Sequence, residues 1–423
     1  MSQHTLLILG SMDEFVCLVD DARARGYRTI VIDGYPAGPA KPYADLSFDI
    51  AVDDTQALRR VCEEQGVDGM ITAFSDLLFE NMVKLSVASS IPCYGNYAGM
   101  QWLRSKTKMK EMFRMLDVPH PKSALLRHVD DLQEMPLQFP CVMKPRDGYG
   151  SRGIFVVEDE DEVRARFDET LSFCLNEEGV LLEEYCADHE FNMISWIADG
   201  RAHVVSIADR EKSHEIAGDI PHVSRLVYPS RFWSHVVDEA LAIVQKVALF
   251  TGIQNGPLCM QFFWSPEAGI RVCETAGRVF GYEHELVEQG CGLRIEDLLL
   301  DTVYDKGSLK ERLEHHGLDD FKGACAGLYF HGREKRMGSR DHAVQLLEAQ
   351  GDVIDEALWY YQPGDEISHG RGAKPYLLRV YLHEDDLSAL DALTRHLFAE
   401  LHVEDDAGDD ILYHNEVPGH PSS

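Results

Sequence analysis

The sequence predicts an α/β chain of several domains: a Rossmann-like, doubly wound N-terminal domain, an α+β lobe, and a small C-terminal α+β subdomain. Three observations predict it. Short apolar runs alternate with segments of helical period up to about residue 100, the pattern of a mostly parallel sheet wrapped by helices. A glycine-rich stretch at 141–158, CVMKPRDGYGSRGIFVVE, joins two apolar runs instead of opening a helix. Finally, 423 residues with 45% hydrophobic content exceed one ordinary core, so two to four domains are expected.

Each element has its local reason. TLLILG (5–10) reads as a buried strand, after which Phe15, Leu18, Val19 and Ala22 share a helix face that Gly26 ends. YRTIVID (27–33) is a strand, TQALRRVCEEQG (55–66) a helix, GMITAF (69–74) a strand and LLFENMVKLSVASS (77–90) a helix. The first loop, GSMDEF, lacks GxGxxG, so this domain reads as a scaffold with a ligand edge rather than a dinucleotide binder. Ser105 can cap a helix carrying Met109, Met112, Phe113 and Leu116 at helical spacing, which Pro119 and Pro121 stop. Short strands and one helix (160–173) fill 123 to about 184. SHVVDEALAIVQKVALFTG (234–252) is a long amphipathic helix, and GPLCMQFFW and IRVCETAG form a hairpin about the turn 265–269. From about 310, GACAGLYFHG, YLLRVYLH and two helices make a closing subdomain. The expected divisions are 1–104, 105–309 with the lobe at about 123–184, and 310–423 ending in an acidic tail.

Charge and cysteine usage exclude several partners. With 72 acidic against 40 basic residues the net charge is −32, which repels nucleic acid and anionic membranes. An anionic substrate therefore requires basic residues gathered locally. The ten cysteines include no CxxC pair, no signal peptide precedes Thr5, and no apolar run reaches membrane-span length. A reduced, cytoplasmic protein is expected.

The 141–158 loop is neither of two common phosphate loops. A Walker loop carries its lysine after the glycines and opens a helix; here Lys144 precedes them. Gly153 leads into IFVV, a strand, so the Rossmann arrangement fails as well. What remains is a strand–glycine loop–strand flap with a lysine on its first strand; a plain turn is the competing reading. Its companions in chain order decide between them. Lys106 opens the preceding helix, VLLEEYCADHEFNM (180–193) follows, and the late hairpin adds Gln261 and ETAGR, Glu274 to Arg278.

That set resembles the ATP-grasp superfamily over roughly 100–305, including carbamoyl-phosphate synthase large chains, biotin carboxylase and L-amino-acid ligases. The resemblance implies an ATP-grasp fold and a set of roles. Lys106 and Lys144 would meet the nucleotide phosphates, with Lys108 and Lys110 left as solvated lysines. Backbone N–H groups of a lid spanning Gly148, Gly150, Ser151 and Gly153 would close over the β- and γ-phosphates. Glu183, Tyr185 and Cys186 fall on the linker that bonds adenine, and Glu190 on the carboxylate that accepts from ribose. Glu274 and Gln261 would hold Mg²⁺, or Mn²⁺ in its place; Gln261 stands where an acid is usual and Ala276 where asparagine is usual. Arg278 would stabilise charge on the acyl phosphate, a structural salt bridge being the alternative. Asp209, Arg210 and Lys212 lie where a phosphate or carboxylate contact is common, and His222 could line the acceptor site.

The expected activity is ATP-dependent carboxylate–amine ligation through an acyl phosphate, releasing ADP and phosphate, with an amino-acid or dipeptide ligase favoured. The alternatives are a biotin carboxylase-like or carbamoyl-phosphate synthase-like carboxylating enzyme, and a non-catalytic ATP sensor. Expected partners are a small-molecule carboxylate and amine, and a second copy in a homodimer; neither nucleic acid nor membrane is expected.

Overall fold

A computed structural model describes residues 4–134, 137–146, 153–174, 179–212, 222–281, 283–369, 374 and 376–419. The N-terminal part runs β1 (Thr5–Leu9), α1 (Val16–Ala24), β2 (Arg28–Ile32), β3 (Leu46–Phe48), α2 (Thr55–Gln65), β4 (Gly69–Ile71), α3 (Asp76–Ser89) and α4 (Tyr97–Arg104). Its four strands are parallel in the order β3-β2-β1-β4. Every residue of β1 is buried, as a parallel strand covered on both faces requires. α2 begins with the Asp54 carboxylate accepting from the Ala57 N–H at 3.0 Å and ends at Gly66, whose φ of +69° suits a residue without Cβ. β3 and α4 go beyond the expectation, and β4 stops at Ile71, short of the expected Phe74, which turns the chain with φ +61°.

α5 (Lys106–Met115) follows, N-capped by Ser105 as expected, its oxygen accepting from the Lys108 N–H. The lobe is an antiparallel sheet of β5 (Ser123–Leu126), β6 (Cys141–Pro145), β7 (Phe155–Val157) and β8 (Val180–Glu184), ordered β5-β8-β6-β7. α6 (Glu160–Leu171) covers it, burying Val163 and Phe167.

The central sheet begins with β9 (His189–Ala198), β10 (Arg201–Lys212) and β11 (Val223–Tyr228), backed by α7 (Trp233–Thr251). β12 (Gly256–Pro257) pairs β9, and β13 (Cys259–Ser265) with β14 (Gly269–Ala276) forms the hairpin about 265–269. α8 (His284–Cys291), α9 (Ile295–Tyr304) and α10 (Lys306–His315) follow. β15 (Ala324–Phe330), β16 (Met337–Ser339), α11 (Asp341–Ala349), β17 (Ile354–Trp359), β18 (Leu378–Glu384), α12 (Leu387–Glu400) and β19 (Glu404–Asp405) complete the chain. β15, β18 and β17 continue the central sheet, whose order is β14-β13-β9-β10-β11-β15-β18-β17, while β16 and β19 pair separately. Arg225, fully buried on β11, holds Glu211 at 2.7 Å and Asp391 of α12 at 2.7 Å, tying that last long helix to the sheet. No described helix is long and apolar enough to cross a membrane.

Candidate active site

Three strands present one register row. Glu274 on β14 pairs with Gln261 on β13, and Gln261 pairs with Asn192 on β9. Residues that pair directly across neighbouring strands put their side chains on the same face. Above this row lies a cavity of about 290 Å³ whose lining includes Lys106, Arg210, Gln261, Glu274, Arg278 and Glu283. In a chain of net charge −32, Lys106, Arg210 and Arg278 thus converge from three separate segments.

Lys144 sits beside the cavity on β6, its side chain 10% exposed, and its ammonium lies 2.5 Å from Glu183 on β8. Lys110 reaches the other oxygen of Glu183 at 3.2 Å and donates to the Cys273 carbonyl at 3.1 Å. Burial works against ionisation of Glu183, but the charges of Lys110 and Lys144 outweigh it and hold the carboxyl below its ordinary range. Lys110 is therefore no solvated lysine: it is buried, and it belongs to this triad. Lys106, at the first turn of α5, has its proton affinity lowered by burial and then by the Lys144 ammonium, with Glu274 and Asp76 acting in the opposite sense. Two lysines on one glutamate leave a net positive charge beside Lys106, a setting that favours an incoming polyanion.

Arg278 lies just beyond β14 and is held from the N-terminal part. Its Nε donates to Asp76 at 3.1 Å and its Nη2 to the other carboxylate oxygen at 2.8 Å, a bidentate fork. Burial of Asp76 is more than offset by the Arg278 guanidinium, which keeps the carboxyl ionised below its ordinary range. Arg278 thus makes a salt bridge and still faces the cavity. Arg210 and Lys212 both pair with Glu190, which also accepts from the Gln261 amide. Asp209 turns to the opposite face and accepts from His189, Ser230 and Arg231, so it takes no part in the cavity.

Glu283 is a cavity residue to which sequence reasoning gave no role. Tyr228 donates its hydroxyl to one oxygen at 2.5 Å and Asn192 its amide to the other at 2.5 Å. Burial nevertheless pushes the carboxyl up to about 7, so this cavity-lining group exchanges a proton near neutrality. Asn192 and Asp76 were missed as well. The Asn192 carbonyl oxygen is buried without a hydrogen-bond partner among the described residues, directly beside Gln261 in the register. Gln261 spends its amide nitrogen on Glu190, so its oxygen is the end left for a cation. One carboxylate and two amide oxygens in a row fit a hard divalent ion such as Mg²⁺, and Asn192 supplies an amide that Ala276 cannot.

Gly153 enters β7 with φ +67°, and a Cβ there would meet the Phe173 ring at 2.5 Å, so glycine is required. Gly148, Gly150 and Ser151 lie outside the described residues. Tyr185 donates its N–H to the Pro140 carbonyl at 3.4 Å and exposes its ring, and Cys186 is buried with its thiol pushed up to about 12 by burial. His222 stacks on His331 at 4.8 Å; its neighbour Val223 lines the cavity.

Residues 137–284 match the family model described as the ATP-grasp domain. Formate-dependent phosphoribosylglycinamide formyltransferase of Sulfurisphaera tokodaii is 20% identical over 247 residues, 57% of this chain and 62% of that protein. The enzyme of the same name from Prochlorococcus marinus subsp. pastoris is 25% identical over 195 residues, 45% of this chain and 50% of that protein. This chain thus spans about half to three-fifths of the length of these curated relatives. Among solved structures, L-amino acid ligase from Bacillus licheniformis superposes with a TM-score of 0.80 at 17% identity, covering 96% of this chain and 99% of the other. That likeness shows the fold.

Proposed function

We propose that this chain, whose residues 137–284 match the ATP-grasp domain, is an ATP-dependent ligase joining a carboxylate to an amine with release of ADP and phosphate. The observation that carries the reading is the single cavity receiving Lys106, Arg210 and Arg278 together with Glu274 and the neutral-range carboxyl of Glu283. Lys106 and Lys144 bind the nucleotide phosphates. The substrate carboxylate attacks the γ-phosphorus, the bond to the β-phosphate oxygen breaks, and an acyl phosphate and ADP result. The amine then attacks the acyl carbon and phosphate leaves. Arg278, fixed by Asp76, faces the charge that develops on the acyl oxygens without reorganising. Glu283, when ionised, takes the proton that the amine must lose. A divalent cation, when bound by Glu274, Gln261 and Asn192, neutralises phosphoryl oxygens.

We propose amino acids as the substrates: Arg210 suits a carboxylate, and Glu283 suits an ammonium that must be deprotonated. The test is ADP release by the full chain with Mg-ATP and pooled amino acids, then with separated pairs. Release that needs both a carboxylate and an amine is expected. Bicarbonate-dependent release without an amine would move the reading to a carboxylating enzyme. ATP binding without turnover on any pair would leave the sensor, which the alanine at 276 favours.

A further inference from the structure

At the C-terminal end, three side chains that do not line the cavity converge. His402 Nδ1 and His414 Nε2 lie 3.0 Å and 2.9 Å from the same oxygen of Asp410. One ligand-capable atom from each of the three falls within 4.8 Å of the others, the one such group of His, Cys, Asp and Glu among the described residues. We infer that His402, Asp410 and His414 form a binding site for a first-row divalent transition ion such as Zn²⁺.

The backbone places these groups before any ion arrives. His402 and Asp410 stand across a tight hairpin closed by Ile411 N–H to the Val403 carbonyl at 2.8 Å. Val403, Ile411 and Leu412 are buried in the core, so the hairpin cannot roll without exposing them. The strand is further fixed to the end of β15 through Tyr413 N–H to the His331 carbonyl at 3.0 Å and Arg333 N–H to the Ile411 carbonyl at 2.7 Å. The second oxygen of Asp410 accepts from the N–H groups of Val403 and Leu412, both at 3.2 Å, which orients the carboxylate as outer partners orient a metal ligand.

The donor set selects the ion. Two imidazoles and one carboxylate suit zinc or its neighbours, whereas Mg²⁺ and Ca²⁺ prefer oxygen alone. The site is open, with side-chain exposures of 39% for His402, 23% for Asp410 and 48% for His414, which leaves room for water to complete the coordination. His342 at the start of α11 brings a further ring to 5.4 Å from His402.

The experiment titrates the full chain with Zn²⁺ against a chromogenic chelator and records the visible spectrum with Co²⁺ in its place. One equivalent of zinc, a cobalt spectrum without thiolate-to-metal charge transfer, and a raised unfolding temperature are expected. Removing even an outer partner of a metal typically weakens binding at least about tenfold, so His402→Ala and His414→Ala should each weaken zinc by that factor or more. His414 follows the last paired residues of the hairpin and is half exposed, so His414→Ala keeps the test available if His402→Ala does not fold. Zinc held unchanged by either folded variant, thiolate bands in the cobalt spectrum, or no stoichiometric zinc on the wild type overturns the inference.

Discussion

Replacing Glu283 by glutamine should separate activity from stability in opposite directions. The carboxyl titrates at about 7 against an ordinary 4.5, so the folded state holds a proton that the unfolded chain has already lost between those values. Stability therefore falls as pH rises through that window and levels off above it. The difference amounts to about 3 kcal/mol by linkage. Glutamine never ionises, and its carbonyl oxygen still accepts from Tyr228 or Asn192. Glu283→Gln should thus be more stable than wild type at pH 8, by up to about 3 kcal/mol, and nearly equal to it at pH 4.5. Activity should move the other way, because removing a general base costs roughly 10²–10⁴-fold. In the wild type about one carboxylate in eleven is ionised at pH 6 and about ten in eleven at pH 8, so kcat should rise about tenfold across that interval. Urea unfolding at the two pH values and ADP release from pH 5.5 to 8.5 read both arms. A glutamine variant that keeps wild-type turnover, or one that is no more stable at pH 8 than at pH 4.5 relative to wild type, would falsify the assignment of the proton to Glu283.

Four further variants have expected outcomes. Lys144→Ala should weaken Mg-ATP binding about 10–100-fold, the worth of a charged hydrogen bond, and lower stability because Glu183 keeps only Lys110. Lys106→Ala should weaken ATP similarly with a smaller loss of stability, since burial already disfavours its charge; calorimetry and denaturation on both variants check this, and wild-type ATP affinity in either removes that lysine from the clamp. Arg278→Met should slow ADP formation by roughly 10²–10³-fold. Part of the stability it loses should return in the double variant with Asp76→Asn, and strict additivity in that cycle would mean the fork contributes nothing. Gln261→Glu should place a third carboxylate beside Glu190 and Glu274, so its unfolding temperature should become strongly dependent on Mg²⁺; an independent value would show that position 261 does not reach the ion.

Much of this was legible in the sequence where the signal is local. The capped start of α5, the Gly26 that ends the first helix and the late hairpin about 265–269 all follow from residues within one element. The misses share a physical cause. β3 spans three residues, too few for any period, and α4 is only eight residues long with Gly99 in its first turn, which blunts a helical pattern. Lys110 had a readable signal: it lies four residues after Lys106 and three before the buried Phe113, hence on the same helix side, with its ammonium 5.9 Å from that ring. Asp76 meets Arg278 across 202 positions of chain, and the proton affinity of Glu283 arises from burial between β9, β11 and the loop before α8. Neither contact leaves a trace in spacing.

The fork between Asp76 and Arg278 also bears on how such a chain can be recombined. The domain that the family model delimits starts at residue 137, yet the acid that aims its arginine sits at the first turn of α3. A chimera that grafts a foreign leading segment onto residues 105–423 would keep Lys106, Lys144 and Glu274 but lose Asp76, and with it the fork that fixes Arg278. Such a hybrid should hydrolyse or bind nucleotide better than it ligates. Restoring an acid at the structural equivalent of position 76 is the single change with which repair should begin.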